Sequence, residues 1–275
     1  MLLKTVFILG DIGFYSQNLF NLVGYIKNDI QKDDIITLVG DNFYPSGVDD
    51  INDSQWKKYE DIFKDVTNPK YCILGNHDYM LNPKAQIESE NWQMDDWYFK
   101  KEFENVDLYF LDTNQFSISN WVPIEKLEEI HGIDSENLIK RQISWLEREL
   151  SKNLNKKKIV FGHYPIITNG KYKGRMDKLY NDLIDTFTKF KVNLYISGHE
   201  HNIQFLKRDF GFNFNQIIIG SSSENRDDAN QCLKDDMLDN SDSYYGKLLI
   251  NPEEDSMTIQ YLNTQNKVIY QYILN

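Results

Sequence analysis

The sequence is short of cysteine, of positive charge and of long apolar runs, and each shortage removes a class of protein. Two cysteines in 275 residues cannot build a disulfide framework. Cys72 lies in an apolar run and Cys232 in an acidic stretch, so each reads as a free thiol. Thirty Lys and Arg against 42 Asp and Glu leave a formal net charge of -12. A nucleic-acid backbone or an anionic membrane surface wants a basic face, so neither is expected as the main partner. No apolar run approaches a membrane span. Met1–Lys4 leads straight into Thr5–Leu9 and the charged turn at Asp11, which leaves no room for a secretory leader. Localisation stays open: cytoplasmic as the chain stands, secreted or lysosome-like if a leader was removed. Internal repeats and low-complexity segments are also missing. What is present is a 41% hydrophobic, 14% aromatic composition, enough to bury a full core. One domain over residues 1–275 and a monomer are expected.

Short apolar or β-branched runs recur, each ending in Gly plus a polar residue. Thr5–Leu9 precedes Gly10-Asp11, Ile35–Val39 precedes Gly40-Asp41, and Tyr71–Leu74 precedes Gly75-Asn76. Lys158–Phe161 precedes Gly162-His163, and Asn193–Ile196 precedes Ser197-Gly198-His199. Runs of this kind suit strands buried on both faces. Leu19–Ile30, Leu138–Leu150 and Leu179–Phe190 between them carry apolar residues at helical spacing. The alternation is the grammar of an α/β fold, in which ligands gather beyond the carboxyl ends of the strands. From Asn202 onward, Ile203–Leu206, Gln216–Ile219, Tyr245–Ile250, Met257–Leu262 and Val268–Ile273 predict an antiparallel β half. Asn120–Asp134 reads as an exposed insertion and Ser221–Ser243 as a mobile surface loop.

The strand-end residues carry the chemistry. Asp11, Asp41, Asn76, His163, His199 and His201 combine carboxylate, amide and imidazole, a donor set for Fe, Mn, Zn or Mg rather than a thiolate metal. They are too many for one catalytic ion with an open position and about right for two ions sharing a carboxylate. In an extended Gly-His199-Glu-His201 segment the two imidazoles point the same way.

Gly10-Asp11-Ile12-Gly13, Gly40-Asp41-Asn42-Phe43-Tyr44, Gly75-Asn76-His77-Asp78, Gly162-His163-Tyr164-Pro165 and Gly198-His199-Glu200-His201 stand in the order of the calcineurin-like metallophosphoesterases. More narrowly, the chain resembles the small, tartrate-resistant type of purple acid phosphatase. Most of the superfamily has a histidine where this chain has Gly13, whereas Tyr44 stands where the purple enzymes bind ferric iron. The resemblance covers residues 5–225 by motif. It implies a four-layer αββα sandwich, two packed mixed β-sheets flanked by helices. It assigns a ferric ion to Asp11, Asp41, Tyr44 and His201, and a second ion, Fe(II), Zn or Mn, to Asp41, Asn76, His163 and His199. It further implies hydrolysis of small phosphate monoesters by in-line attack of a metal-bound hydroxide. His77 would then contact the phosphoryl oxygen or protonate the leaving group, with Asp78 orienting it. One departure stands out. The loop Ile166–Lys173 lacks the histidine that these enzymes usually carry near the leaving group, which leaves Lys171, Tyr172 or His77 alone for that role.

Other features carry less. His131 reads as solvated, Glu200 as facing away from the ligands, and Asp112-Thr113-Asn114 and Gly220–Ser223 as turns. Trp92, Trp97, Tyr98 and Phe99 read as core or rim packing. Two rival functions remain open: a di-Mn or di-Zn phosphodiesterase or nucleotidase on the same fold, and a non-catalytic scaffold.

Overall fold

Thr5–Leu9, Ile35–Val39 and Lys70–Ile73 form parallel strands β1, β2 and β3. Every residue of β1 and β2 is buried, as continuous apolar runs require. The structure is a computed structural model that describes residues 1–116, 121–207, 214–226 and 237–274. Helix α1 (Gln17–Asp29) follows β1. It is capped by the Ser16 hydroxyl, which accepts from Leu19 N, and buries Leu19, Leu22, Val23 and Ile26 along one stripe. Helix α2 (Trp56–Phe63) lies between β2 and β3, and α3 (Pro83–Ile87) follows β3.

Strands β4 (Phe99–Glu102) and β5 (Val106–Phe110) begin a second sheet, followed by helices α4 (Ile124–His131) and α5 (Ser135–Lys152). Strand β6 (Lys157–Phe161), helix α6 (Asp177–Lys189) and strand β7 (Leu194–Ser197) continue it in parallel. Then come β8 (Ile203–Leu206), β9 (Asn215–Ile219), β10 (Met237–Asp239), β11 (Tyr244–Asn251), β12 (Ser256–Asn263) and β13 (Val268–Leu274). One sheet has the order β13-β12-β11-β1-β2-β3 and the other β10-β8-β9-β7-β6-β5-β4. Both are mixed. Phe7 and Leu9 of β1, Ile36 and Leu38 of β2, Ile159 and Phe161 of β6, Leu194 and Ile196 of β7 and Leu248 of β11 share one core. Helices α5 and α6 cover the outer side of the second sheet through Leu146, Leu150, Leu179, Leu183 and Phe187. The expected αββα layering is what the chain adopts.

Three expectations need correction. The C-terminal half is not antiparallel throughout: β9 runs parallel to β7, while β8 and β10 extend the second sheet and β11–β13 the first in antiparallel pairs. The segment read as an exposed insertion contains α4, because Leu127 and Val122 are apolar and buried there; Asn120 lies outside the described residues. The segment read as a surface loop starts buried, since Ser221, Ser222 and Ser223 are almost wholly covered. Residues 227–236, Cys232 among them, lie outside the described residues. Cys72 is a buried free thiol, and burial pushes its pKa well up. Among the described residues no helix is long and apolar enough to cross a membrane.

Candidate metal centre

The predicted ligands converge at the carboxyl ends of strands from both sheets. Asp11 and Asp41 follow β1 and β2, Asn76 follows β3, His163 follows β6, and His199 and His201 follow β7. Asp11 (φ 55°), Asp41 (φ 53°) and His199 (φ 68°) all hold the left-handed backbone that ordinary side chains avoid. Strain of about 1–3 kcal/mol at such residues persists where the surroundings fix them, and it gathers at functional sites. The two sheets are joined at this point by His199 N, which donates to Asp11 Oδ2 at 2.8 Å. Gly75 packs so closely that a methyl group there would fall on the Asp41 carboxylate.

Two electron-rich pockets result. In the first, the Tyr44 hydroxyl lies 3.2 Å from Asp11 Oδ1, 2.9 Å from Asp41 Oδ2 and 3.0 Å from His201 Nε2. A phenol has one proton to donate, so it cannot satisfy both carboxylates at once. In the second, His163 Nδ1 lies 2.9 Å from Val39 O, which only accepts, and so carries the ring proton. His163 Nε2 is then a bare lone pair, yet it faces Asn76 Oδ1 at 3.2 Å and Asp41 Oδ1 at 3.5 Å. His199 Nε2 is buried with no hydrogen-bond partner among the described residues. Ligand atoms of Asp41, His163 and His199 all lie within 4.8 Å of one another. Acceptors facing acceptors without a shared proton fit a cation, and Asp41 turns one oxygen to each pocket. The residues present fit two metal ions.

The electrostatics agree. Burial, and then the Asp41 carboxylate, pushes the Asp11 carboxyl well above its ordinary value. Burial, and then Asp41 and Asp11, likewise raises the Tyr44 phenol. Burial holds His163 and His199 below the usual imidazole range, His199 further so because of His163 and His201. Neutral imidazoles are the form that binds metal.

His77 sits half-buried beside this centre, its ring 4.6 Å from that of Tyr44. Its backbone N–H donates to Asp41 Oδ1 at 2.9 Å and its Nδ1 lies 2.5 Å from Pro45 O. Asp78 is not what orients it. The Asp78 carboxylate is fully buried and accepts from Gly75 N, Asn42 N, Phe43 N, Asn42 Nδ2 and Gln86 Nε2. It ties the loops after β2 and β3 together. Burial, and then Asp41, pushes its pKa up to about 7.

Several contributors were missed or misread in the sequence. Thr113 Oγ1, in a segment read as a turn, accepts from His163 N and Tyr164 N at 3.1 Å each. Ser223 Oγ donates to Asp11 O, and Ser222 Oγ accepts from Gly10 N at 3.1 Å. Glu200 does face away from the ligands, and its carboxylate binds the loop that carries Tyr172. His131 is not solvated: its Nε2 lies 3.1 Å from Tyr79 Oη and its ring 4.3 Å from Trp97. A hydroxyl, serine or glutamate of this kind gives no motif; only its place beside a strand end could have flagged it.

Fold and site together define a metal-dependent phosphoesterase. Residues 4–202 match the model of the calcineurin-like phosphoesterases, and the chain belongs to that family. It is similar to the rabbit (Oryctolagus cuniculus) tartrate-resistant acid phosphatase type 5, 29% identical over 257 residues, 86% of this chain and 77% of that one. It is also similar to purple acid phosphatase 7 of Arabidopsis thaliana, 31% identical over 211 residues, 70% of this chain and 62% of that one. Among solved structures, GAP50, the anchor in the inner membrane complex of Plasmodium, superposes with a TM-score of 0.80 at 22% identity, over 99% of this chain and 88% of that one. That likeness is one of fold.

Proposed function

We propose that this chain hydrolyses small phosphate monoesters at a dinuclear Fe(III)–M(II) centre, M being Fe, Zn or Mn. Asp11, Asp41, Tyr44 and His201 would hold the ferric ion, and Asp41, Asn76, His163 and His199 the divalent one. The observation that carries this reading is the Tyr44 hydroxyl within 3.2 Å of Asp11, Asp41 and His201, because a phenolate suits a hard trivalent ion. When bound, the two ions would neutralise the phosphoryl group and activate water at neutral or acid pH. The net charge of -12 still disfavours long polyanions.

The chain's own residues do the rest. His77 Nδ1 is committed to Pro45 O, which leaves Nε2 for a phosphoryl oxygen or, as imidazolium, for the leaving alkoxide. Asp78 acts on position alone, by fixing the Asn42–Phe43 backbone next to Asp41. Supporting evidence is the family membership and the similarity to acid phosphatases.

A non-catalytic role, such as that of the Plasmodium anchor protein, is the weaker reading, since all seven ligand-type side chains are retained. The test is metal analysis and a visible spectrum on one sample that is also assayed with p-nitrophenyl phosphate from acid to neutral pH. Iron, colour and turnover together are expected. A colourless manganese or zinc enzyme of full activity refutes the iron assignment, and a metal-replete but inert protein favours the scaffold.

A further inference from the structure

Loop Thr168–Arg175 concentrates Lys171, Lys173 and Arg175 in a chain that is otherwise strongly acidic. A run of exposed cations is ordinarily a solvated surface. Here the backbone beneath it is fastened to the candidate metal centre. Glu200 stands between His199 and His201 and is only 1% exposed. Its carboxylate accepts from Thr168 Oγ1 at 2.7 Å, Tyr172 N at 2.9 Å and Lys171 N at 3.1 Å. Buried Gln204 adds a second anchor, its Oε1 accepting from Asn169 N at 2.9 Å and its Nε2 donating to Thr168 Oγ1 at 3.0 Å. A buried carboxylate is retained only where such donors offset its desolvation.

The anchoring sets the Tyr172 ring flat against the His199 imidazole, with centroids 4.5 Å apart and planes 25° from parallel. Trp121 meets His199 edge-on at 4.4 Å and Tyr172 at 4.7 Å. Lys171 Nζ and Arg175 Cζ each stand 5.7 Å from the centre of the Tyr172 ring. Two exposed cations are therefore placed one aromatic ring away from a candidate ligand of the divalent ion.

We propose that this loop selects phosphate esters whose leaving group carries a second anionic group, a carboxylate or another phosphate. Lys171 and Arg175 bind that group while the scissile phosphoryl lies at the Asp41 site; Tyr172 sets the spacing between the two. The proposal rests on the phosphate-ester reading above and adds the substrate class.

Calorimetry with benzylphosphonate and 4-carboxybenzylphosphonate, which cannot be hydrolysed, tests it on the metal-loaded protein. The carboxylated probe should bind about tenfold more tightly, roughly three- to fivefold for each exposed charge contact. The preference should shrink as salt rises. In Lys171→Ala/Arg175→Ala the affinity ratio should fall to about one, and in Lys171→Glu/Arg175→Glu it should invert; both positions are exposed, so folding is spared. The ratio of kcat/KM for 4-carboxyphenyl phosphate over phenyl phosphate should follow the same order. If wild type binds both phosphonates equally yet hydrolyses phenyl phosphate, the loop assignment falls and the phosphatase reading stands. If neither phosphonate binds and neither ester is cleaved, both fall.

Discussion

Gly13 and Tyr44 occupy one space. A methyl group on Gly13 would stand 2.6 Å from both the Phe43 carbonyl carbon and the Tyr44 backbone nitrogen. The two turns are in direct backbone contact: Gly13 N donates to Asp41 O at 3.1 Å, and Tyr44 N donates to Gly13 O at 3.2 Å. A side chain at position 13 and this placement of Tyr44 exclude each other. The absence of a histidine and the presence of a tyrosine are thus one structural fact rather than two.

Gly13→Ala should therefore cost about 1–3 kcal/mol of stability, the ordinary penalty for forcing a methyl into packed backbone. Urea denaturation measures it. Because the displaced atoms belong to Tyr44, the visible band of iron-loaded protein should also weaken or shift. A variant as stable as wild type with an unchanged spectrum would mean that the backbone around Gly13 and Tyr44 has room for a methyl group, against the 2.6 Å separation.

Tyr44→Phe and Asp41→Asn separate the two pockets. Tyr44→Phe removes one oxygen from the first pocket and leaves Asn76, His163 and His199 in place. Colour should vanish while a divalent ion is retained, with turnover down by at least about 10–100-fold, the loss that follows even when only an outer partner of a metal ligand is removed. Asp41 serves both pockets through Oδ2 and Oδ1. Asp41→Asn should lose both metal ions and reduce turnover to background. Metal analysis by mass spectrometry decides the matter, and bound metal in Asp41→Asn would disprove the bridge.

The layers of the fold were legible because parallel strands buried on both faces read as unbroken apolar runs. β1, β2 and β8 begin and end where the sequence predicted. The ligand positions were legible for the same reason, since each followed such a run. Elements without that signal were missed. The strand β4, Phe-Lys-Lys-Glu, is an edge strand with polar residues, and α4 buries Leu127 alone within the helix. Thr113 and Ser223 serve the site through single hydroxyls, which a sequence displays no differently from turn residues. The mistaken role for Asp78 has another cause: adjacency to His77 suggested a contact, yet the carboxylate is consumed by the backbone N–H groups of Asn42, Phe43 and Gly75. Partnership across the two loops, 36 residues apart for Asn42, lies beyond what neighbouring letters convey.

Glu200→Ala tests the anchoring of the 168–172 loop. The change leaves Thr168 Oγ1, Lys171 N and Tyr172 N without this acceptor, and the loop should loosen rather than stay buried unsatisfied. Stability should fall by about 1–3 kcal/mol. With metal content held equal, KM for aryl phosphates should rise more than kcat falls, because Tyr172 leaves its place on His199. Glu200→Gln retains an acceptor and should recover part of the loss. Equal damage from Gln and Ala, confined to stability with unaltered KM, would make Glu200 a purely structural residue.

Acid sensitivity should arise in part outside the metal centre, around Tyr79. Its hydroxyl donates to the Asp112 carboxylate and lies 3.1 Å from His131 Nε2. Burial, with Lys84 assisting, pulls His131 from 6.5 down to about 4. An unfolded chain takes up that proton near pH 6.5 and the folded one only near pH 4. Stability is thus fully present above pH 6.5 and is lost as pH falls towards 4. Asp112 runs the other way: burial pushes it up to about 6, so the folded chain holds its proton where the unfolded one has released it. Its contribution improves as pH falls from 6 to 4 and offsets His131 in that window. His131→Gln removes one slope and uncovers the other. The stability difference between variant and wild type, measured by urea denaturation, should move in favour of the variant by about 1 kcal/mol between pH 7 and pH 4.5, after allowance for the partial exposure of the imidazole. A difference that is constant across this range would show that His131 titrates alike in both states. The acid response would then have to be sought among the carboxylates and imidazoles of the site itself.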